Sequence, residues 1–245
     1  NDELVYEMSK MTDLEILKYV FKNRYDHYQL KTSHNFNIVI NDTEIKKYKN
    51  INKITVFYLN DFIERYNDKI TELVILSESP FTFMLENNNE IKLNSLSIIN
   101  CGINIIPENI FSSLIYLNCY YNNLSKIPKD LINLKILHCS NNELHEIPDK
   151  FINLKKLNCS HNKIRKIPAS LINLTYLNCS KNLLKEIPET LINLKYLNCS
   201  DNQIGKIPET LNNLTYLDIS KNYALVLLEI PTSFVNLKYS VLTVK

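Results

Sequence analysis

Apolar and polar positions recur along the second half of the chain with a fixed step of twenty residues. Each unit opens with alternating apolar residues, as in Leu134-x-x-Leu137-x-Cys139, which predicts a short β-strand with one face buried. An asparagine such as Asn142 follows, where a side-chain amide can satisfy backbone groups as the chain leaves the strand. An Ile-Pro pair then favours an extended return segment over a long helix. The period predicts a solenoid, in which each coil buries its apolar side only against its neighbours.

The units differ in regularity along the chain. Six regular units begin at leucines twenty residues apart, namely Leu114, Leu134, Leu154, Leu174, Leu194 and Leu214. A nearly regular unit precedes them, and fainter openings occur at Ile51 and Ile70. After Asn222 an insertion loosens the pattern, and Val241 to Val244 predict a final strand. We therefore expect a solenoid over residues 49–245, with irregular units at 49–92, regular units at 93–222 and degenerate units at 223–245.

The first 48 residues predict an N-terminal cap made of a helix and a strand. Thr12 and Glu15 have the spacing of a capping box that starts a helix. The helix would run to about Lys31, with one apolar stripe formed by Leu14, Leu17, Phe21 and Tyr25. Phe36 to Ile40 predict the strand. Because a single apolar stripe needs a surface to lie on, we expect residues 1–48 to cover the open end of the solenoid core.

Composition narrows the classes of function. The 28 basic and 26 acidic residues give a net charge of +2, so the chain lacks the large field of one sign that nucleic acid or an acidic membrane would require. No run of about eighteen apolar residues predicts a membrane span, and no signal peptide is recognised in the sequence. We expect neither nucleic acid nor a membrane as partner.

The six cysteines indicate a reducing compartment. Five of them follow the repeat step from Cys119 onward, so they would lie in line on neighbouring strands about 4.8 Å apart with parallel side chains. A disulfide needs Cβ atoms about 3.8 Å apart and side chains that face each other. We expect buried thiols that act as small apolar residues, and a cytoplasmic location.

The unit Leu-x-x-Leu-x-Cys-x-x-Asn-x-Leu-x-x-Ile-Pro-x-x-Leu resembles the short class of leucine-rich repeat, with cysteine in place of the family's common Leu or Val. The resemblance implies an α/β-type repeat solenoid. It would be a right-handed superhelix with a concave parallel β-sheet, a mostly extended convex side and an N-terminal helical cap. It also implies a concave surface that binds proteins. The Asn-, Ile- and Lys-rich composition of the repeats resembles that of repeat proteins of amoeba-infecting giant viruses and, less closely, of bacterial effectors. This resemblance would place the chain in a host cytoplasm.

The resemblance implies that outward strand positions contact the partner. These positions carry tyrosines beside rows of Asn and Ser, and tyrosine suits interfaces because it offers a rigid amphipathic surface. Stacked rows of like residues can also persist because they support neighbouring strands, and the sequence leaves this alternative open. The candidate partner-binding residues are Tyr116, Tyr120, Tyr121, His138, Lys156, His161, Tyr176, Tyr196, Asp201 and Tyr216.

Catalytic motifs are missing from the sequence. It contains no phosphate-binding loop, no paired CxxC and no His-Glu-x-x-His. His138 and His161 would share one face, but the cysteines of those strands point inward, so a Cys/His metal site is not expected. We expect a non-enzymatic scaffold without cofactor or metal.

Two alternatives concern the ends of the chain. The segment from Leu14 to Phe21 resembles the opening of an F-box, which docks substrate receptors onto ubiquitin ligases, although the later Cys-Lys-x-Trp-like part of that motif is missing. This alternative makes the chain the substrate-recognition subunit of a ligase. At the other end, an uncapped strand at Val241 to Val244 would allow a homodimer through the C-terminal sheet edge.

Overall fold

A computed structural model describes six parts of the chain: residues 28–32, 38–40, 70–76, 93–108, 112–222 and 231–241. For the first three parts it gives the backbone alone. Within these ranges the chain forms eleven strands and no helix, and the return segments between strands are extended stretches and tight turns.

The strands follow one another along the chain in one sheet. Their bounds are β1 Tyr28–Thr32, β2 Ile38–Ile40, β3 Ile70–Leu76, β4 Ser95–Ile99, β5 Tyr116–Asn118, β6 Ile136–His138, β7 Lys156–Asn158, β8 Tyr176–Asn178, β9 Tyr196–Asn198, β10 Tyr216–Asp218 and β11 Tyr239–Val241. From β2 to β11 each pairs in parallel with the next, whereas β1 is antiparallel to both β2 and β3. The eight strands β4 to β11 therefore form a continuous parallel sheet with one strand per coil.

Register follows the sequence period. Leu137 lies opposite Leu117 on one side and Leu157 on the other, so equivalent residues of successive units are direct neighbours. The backbone pairing continues past each three-residue strand, because Cys139 donates its N–H to the Asn158 carbonyl over 2.8 Å and Asn141 donates to Ser160 over 3.0 Å. A side chain that recurs every twenty residues consequently forms a continuous row across the solenoid.

Each coil contributes the same apolar set to a single core. In one unit the buried residues are Leu134, Leu137, Cys139, Leu144, Ile147 and Phe151. At roughly 1.5–3 kcal/mol for each buried side chain, against about 1–2 kcal/mol for every backbone residue that is ordered, no single coil is stable alone. Stacking is therefore a requirement of the fold.

The ends of the chain differ in part from the sequence expectation. β1 occupies Tyr28–Thr32, so the predicted helix does not extend to Lys31 as a helix. β2 and β3 lie where strands were predicted, and β2 begins two residues later than Phe36. β11 begins at Tyr239, because Tyr239 pairs with Tyr216 and so keeps the repeat register that the insertion had obscured. The remainder of the N-terminal helix, the unit opening at Ile51 and residues 242–245 lie outside the described residues.

Candidate partner-binding face

The outward residues of β5 to β10, with the two residues that follow each Cys or its equivalent, form what we call the strand face. The first outward position of these six strands carries Tyr116, Ile136, Lys156, Tyr176, Tyr196 and Tyr216, which lie in register as neighbours. Each of these strands has a buried central residue between two more exposed ones. The alternation predicted from the sequence is confirmed over the strands themselves.

Three tyrosines form a stacked ladder on this face. The ring centroids of Tyr176 and Tyr196 lie 4.3 Å apart with 10° between the ring planes, and those of Tyr196 and Tyr216 lie 4.3 Å apart with 6° between them. Burial of the phenol raises the pKa of Tyr196, and the neighbouring Tyr176 raises it further. Burial also raises the pKa of Tyr216, and Tyr196 adds to that rise. Because the rings cover each other's faces, the ladder offers ring edges and hydroxyl groups to a partner.

His138 lies at the other end of the face beside Tyr116. Their ring centroids are 5.9 Å apart with the planes tilted by 54°. Burial lowers the pKa of His138, and the nearby Lys156 lowers it further. The imidazole is therefore neutral at pH 7 and acts as a hydrogen-bonding group, without a charge to steer a partner.

Tyr120 and Tyr121 form a second aromatic group. Their centroids are 4.9 Å apart in an edge-to-face arrangement at 72°, and the side chains are 37% and 53% exposed. Tyr120 occupies the position at which the next five units have serine. These two rings are the most exposed aromatic pair among the described residues of the strand face.

The serine row is not part of the exposed surface. Ser140, Ser160 and Ser180 are buried, so the expectation of a serine rail facing outward was wrong for these units. Ser180 donates its hydroxyl to the Oδ1 atom of Asn178 over 2.8 Å, and its backbone N–H donates to the same atom over 3.2 Å. The same two bonds recur between Asn158 and Ser160, Asn198 and Ser200, and Asp218 and Ser220. These bonds fix the outward Asn side chains, because the carbonyl oxygen already accepts two donors from its own chain.

The next position along each unit has left-handed backbone. Its φ angles are 54° at Asn100, 58° at Tyr121, 54° at Asn141, 54° at His161, 54° at Lys181, 56° at Asp201 and 57° at Lys221. Only Asn and Asp among these residue types tolerate this region readily. The turn persists because its backbone N–H groups still bond to the next coil, as where the His161 N–H donates to the Ser180 carbonyl over 2.9 Å. It sets the side chains of Tyr121, His161 and Asp201 in one row at the margin of the strand face.

This marginal row is electrostatically coupled. Burial lowers the pKa of His161, Lys181 lowers it further, and Asp201 opposes both. The ten predicted binding residues thus fall into a tyrosine ladder continued by Lys156, the Tyr116–His138 contact, the Tyr120–Tyr121 pair and the marginal row. The structure assembles them along one face in four groups instead of at a single point.

Sequence reasoning did not single out two exposed features. Tyr239 lies in register with Tyr216 and is 70% exposed, so it belongs to the tyrosine row. Isoleucines that recur one per coil are about half exposed on a different part of the surface: Ile132 at 47%, Ile152 at 53%, Ile172 at 50% and Ile192 at 50%. The twenty-residue step was the signal for the isoleucines, whereas Tyr239 follows an insertion that breaks the step.

The six cysteines, all within the described residues, are buried and form no disulfide, as predicted. Burial raises the pKa of the Cys119 and Cys159 thiols to about 12, against a weaker lowering by backbone hydrogen bonding. Such thiols are neutral and unreactive at pH 7. In the parts of the chain that the structure describes, no cluster of His, Cys, Asp and Glu is arranged to hold a metal ion. Over the same residues, no helix has the length and apolarity needed to cross a bilayer.

Comparisons with known proteins agree with the repeat geometry. Models of the leucine-rich repeat match residues 133–154 and 193–214 as single copies and residues 152–191 as a two-copy unit. No curated protein sequence matches the chain. The matched units are leucine-rich repeats of about twenty residues.

Solved structures of bacterial and plant proteins share the solenoid. A leucine-rich repeat protein of Leptospira interrogans is 23% identical, with 68% of this chain and 53% of that one covered at a TM-score of 0.50. The ectodomain of the Arabidopsis thaliana receptor kinase GASSHO1/SCHENGEN3 is 21% identical, with 70% and 23% covered at a TM-score of 0.52. The effector protein YopM from Yersinia pestis is 25% identical, with 64% and 50% covered at a TM-score of 0.47. The chain spans about half the length of the Leptospira and Yersinia proteins, and these likenesses concern the fold.

Proposed function

We propose that this chain is a non-enzymatic scaffold that binds a protein partner on its strand face. Leucine-rich repeat domains generally serve as protein-interaction scaffolds, and matches to that repeat cover much of the regular array. The residues we assign to binding are the ten predicted from the sequence: Tyr116, Tyr120, Tyr121, His138, Lys156, His161, Tyr176, Tyr196, Asp201 and Tyr216.

The Tyr120–Tyr121 pair is the observation that carries the proposal. Both rings are exposed, and Tyr120 precedes a row of serines, four of which bond to the Asn or Asp two residues earlier. Tyr121 holds a φ of 58°, which is unfavourable for a bulky residue and costs of order 1–2 kcal/mol. The left-handed turn recurs in every unit, so it is the exposure of the two rings, with Tyr120 where later units have serine, that favours contact with a partner.

The tyrosine ladder supports the same face with a different contribution. Stacking holds the rings of Tyr176, Tyr196 and Tyr216 in place before a partner arrives, so little side-chain entropy remains to be lost on binding. Lys156 continues this row with a positive charge, and Asp201 adds a negative charge at the margin. Mixed charges on a tyrosine surface favour a protein partner over nucleic acid.

The test uses two double variants on the full chain. Tyr120→Ala/Tyr121→Ala and Tyr196→Phe/Tyr216→Phe are immobilised beside the wild type, and proteins captured from a host lysate are compared by mass spectrometry. A matched control, Lys185→Ala/Lys206→Ala, changes exposed residues away from the strand face. We expect the alanine pair to lose the specific partner and the control to keep it. Unchanged capture by both tyrosine variants would remove the strand face as the binding surface.

A ligase subunit is the second candidate. It rests on the F-box-like sequence from Leu14 to Phe21, which lies outside the described residues. Co-purification of the full chain with the ligase adaptor that F-boxes dock onto tests it, and no binding to that adaptor dismisses it.

Cytoplasmic location is supported by the buried thiols, which form no disulfide, and is the host cytoplasm if the chain is a viral protein or an effector. Homodimer formation through the sheet edge at β11 stays a prediction.

A further inference from the structure

The exposed isoleucines form a short apolar row away from the strand face. We define the isoleucine row as Ile132, Ile152, Ile172 and Ile192, which repeat one per coil and are about half exposed. At the equivalent positions of the flanking units stand Ser112 and Asn212, so polar residues end the row on both sides. The row is therefore a finite patch of four coils.

Backbone bonding holds this row in place. Asn153 donates its side-chain amide to the carbonyl of Ile132 over 3.1 Å, and Asn173 donates to that of Ile152 over 2.9 Å. The same bond links Asn193 to Ile172 and Asn213 to Ile192, each over 2.9 Å. Since every isoleucine carbonyl is tied to the following coil, the four side chains project from a fixed backbone, one from each coil.

The charges on either side of the row are ordered. Three residues before the isoleucine stand Asp149 and Glu189 in two of the coils, and three residues after it stand Lys155 and Lys195 in the same two coils. The coil between them is neutral on both sides, with Ala169 and Thr175. Of these six residues all are exposed except the partly exposed Thr175. At these positions, three residues from the isoleucine, one flank is basic and the other flank of the same coil is acidic, with the exposed Lys150 beside Asp149.

We propose that a second copy of this chain packs against the isoleucine row, with the two-fold axis running along the row. A second copy presents the same row, with one isoleucine per coil at the same spacing. Four copies of the same side chain at one pitch therefore fit best against themselves, as in a dry zipper of identical residues.

The charge order selects the direction of that axis. An axis along the row places each coil opposite its own counterpart and exchanges the two flanks. Lys155 then faces Asp149 of the second copy, Lys195 faces Glu189, and the neutral Ala169 faces Thr175. An axis across the row would instead set the lysine flanks against each other. At the Ile132 end, Lys129 faces Lys135 of the other copy in two symmetry-related contacts, and this repulsion limits the affinity.

The association is expected to be weak and transient. A patch of four coils is smaller than the roughly 800 Å² per partner of a standard stable complex. Sedimentation of the full chain should show a monomer–dimer equilibrium with a dissociation constant above about 1 µM, since even standard-sized interfaces can be that weak. Ile152→Asp/Ile172→Asp should be monomeric throughout, while Ile105→Asp, at an exposed isoleucine outside the row, should associate like the wild type. Circular dichroism confirms that each variant is folded.

A charge exchange tests the axis. Lys155→Glu/Lys195→Glu should weaken the dimer by about tenfold or more, and adding Asp149→Lys/Glu189→Lys should restore it, since all four cross pairs then return with reversed sign. Ile152→Cys should form a disulfide between copies on mild oxidation, because an axis along the row brings Ile152 next to itself. A monomeric wild type at about 1 mM, or a dimer that survives Ile152→Asp/Ile172→Asp by pairing through β11, overturns the proposal. Failure of the exchange to restore association overturns the axis.

Discussion

The side-chain amide of Asn142 donates to the carbonyl of Cys119, one coil earlier, over 2.9 Å. The same amide nitrogen donates to the Cys139 carbonyl over 3.1 Å, and its Oδ1 atom accepts the N–H of Leu124 over 2.9 Å. Asn142 is 8% exposed, so these backbone groups have no access to water as an alternative partner. One asparagine thus completes the hydrogen bonding of two coils, and equivalent residues repeat this from Asn122 to Asn222.

Replacing this asparagine should destabilise the whole array. Asn142→Leu leaves the Leu124 N–H buried without its partner, at about 1–3 kcal/mol, and removes one of the two amide donors to the Cys119 carbonyl, which keeps the bond from Asn122. We expect a loss of about 1.5–4 kcal/mol in the free energy of unfolding, measured by urea denaturation. Asn153→Ala serves as control, because it removes a single exposed bond and should cost about 0.5–1 kcal/mol. Equal losses in the two variants would contradict the role assigned to Asn142.

The left-handed turn should accept asparagine better than lysine. Lys181 has a φ of 54°, a conformation that Asn tolerates at lower cost. Lys181→Asn should raise the free energy of unfolding by about 0.5–1 kcal/mol, whereas Lys181→Val should lower it by about 1–2 kcal/mol. Thermal unfolding of both measures the difference, with Lys185→Asn, at an exposed site without a positive φ, as the control. If Lys181→Val stabilised the fold, backbone strain would not be what determines the effect of substitutions at this position.

Alkaline pH should weaken the fold through its buried thiols. Burial raises the pKa of Cys119 and Cys159 from 9.0 to about 12, and it raises those of Cys139, Cys179 and Cys199 as well. Above pH 9 the unfolded chain releases these protons while the folded chain keeps them, so stability is full below pH 9 and falls as pH rises toward 12. Each thiol contributes about 1.4 kcal/mol per pH unit in that window.

Urea midpoints between pH 8 and pH 11 measure this loss. Cys159→Ala/Cys179→Ala should reduce the slope of stability against pH, although it lowers stability at pH 8 because buried volume is removed. In the wild type below pH 9, alkylation of all six thiols should be limited by opening of the fold. A slope unaffected by the two substitutions would assign the alkaline loss to the tyrosines.

The tyrosine ladder should contribute to stability separately from binding. Tyr196 stacks on Tyr176 and on Tyr216, so Tyr196→Ala should cost about 1–3 kcal/mol through both contacts. Tyr196→Phe keeps the stacking and should change stability by less than about 0.5 kcal/mol, since surface substitutions of this kind have small effects. Calorimetric unfolding of both variants separates ring stacking from the hydroxyl group. Equal costs would show that the hydroxyl, and not the stack, stabilises the sheet.

The sequence was most informative where the period and the alternation act together. Leu137, Cys139 and Asn142 were each assigned correctly as strand core, buried thiol and backbone-bonding amide, because burial and polarity repeat in every unit. The orientation of Ser160 was not predictable by extending the alternation, since the strand ends at Asn158 and the chain bends there. The left-handed turn at His161 was equally hidden, because a period shows which residues are equivalent and does not report their φ angles.

Other features could not be predicted from the sequence, for different physical reasons. Ile152 sits between the buried Phe151 and Leu154, and a run of apolar residues does not reveal which member faces water. Tyr239 follows an insertion that breaks the step, so only strand pairing restores its register with Tyr216. β1 lies within a segment of helical spacing, where pairing with β3 outweighs local propensity.

The hydrogen bonds made by Asn142 and its equivalents also determine how such a chain can change in length. Asn142 reaches 23 residues back to Cys119 and 18 residues back to Leu124, and Asn162, Asn182, Asn202 and Asn222 repeat this 23-residue reach. Duplication or excision of one complete unit preserves every such separation, whereas loss of half a unit leaves amides opposite the wrong carbonyls. Gene segments of sixty bases are thus the units by which this molecule can grow, and its strand face lengthens or shortens by one strand at a time.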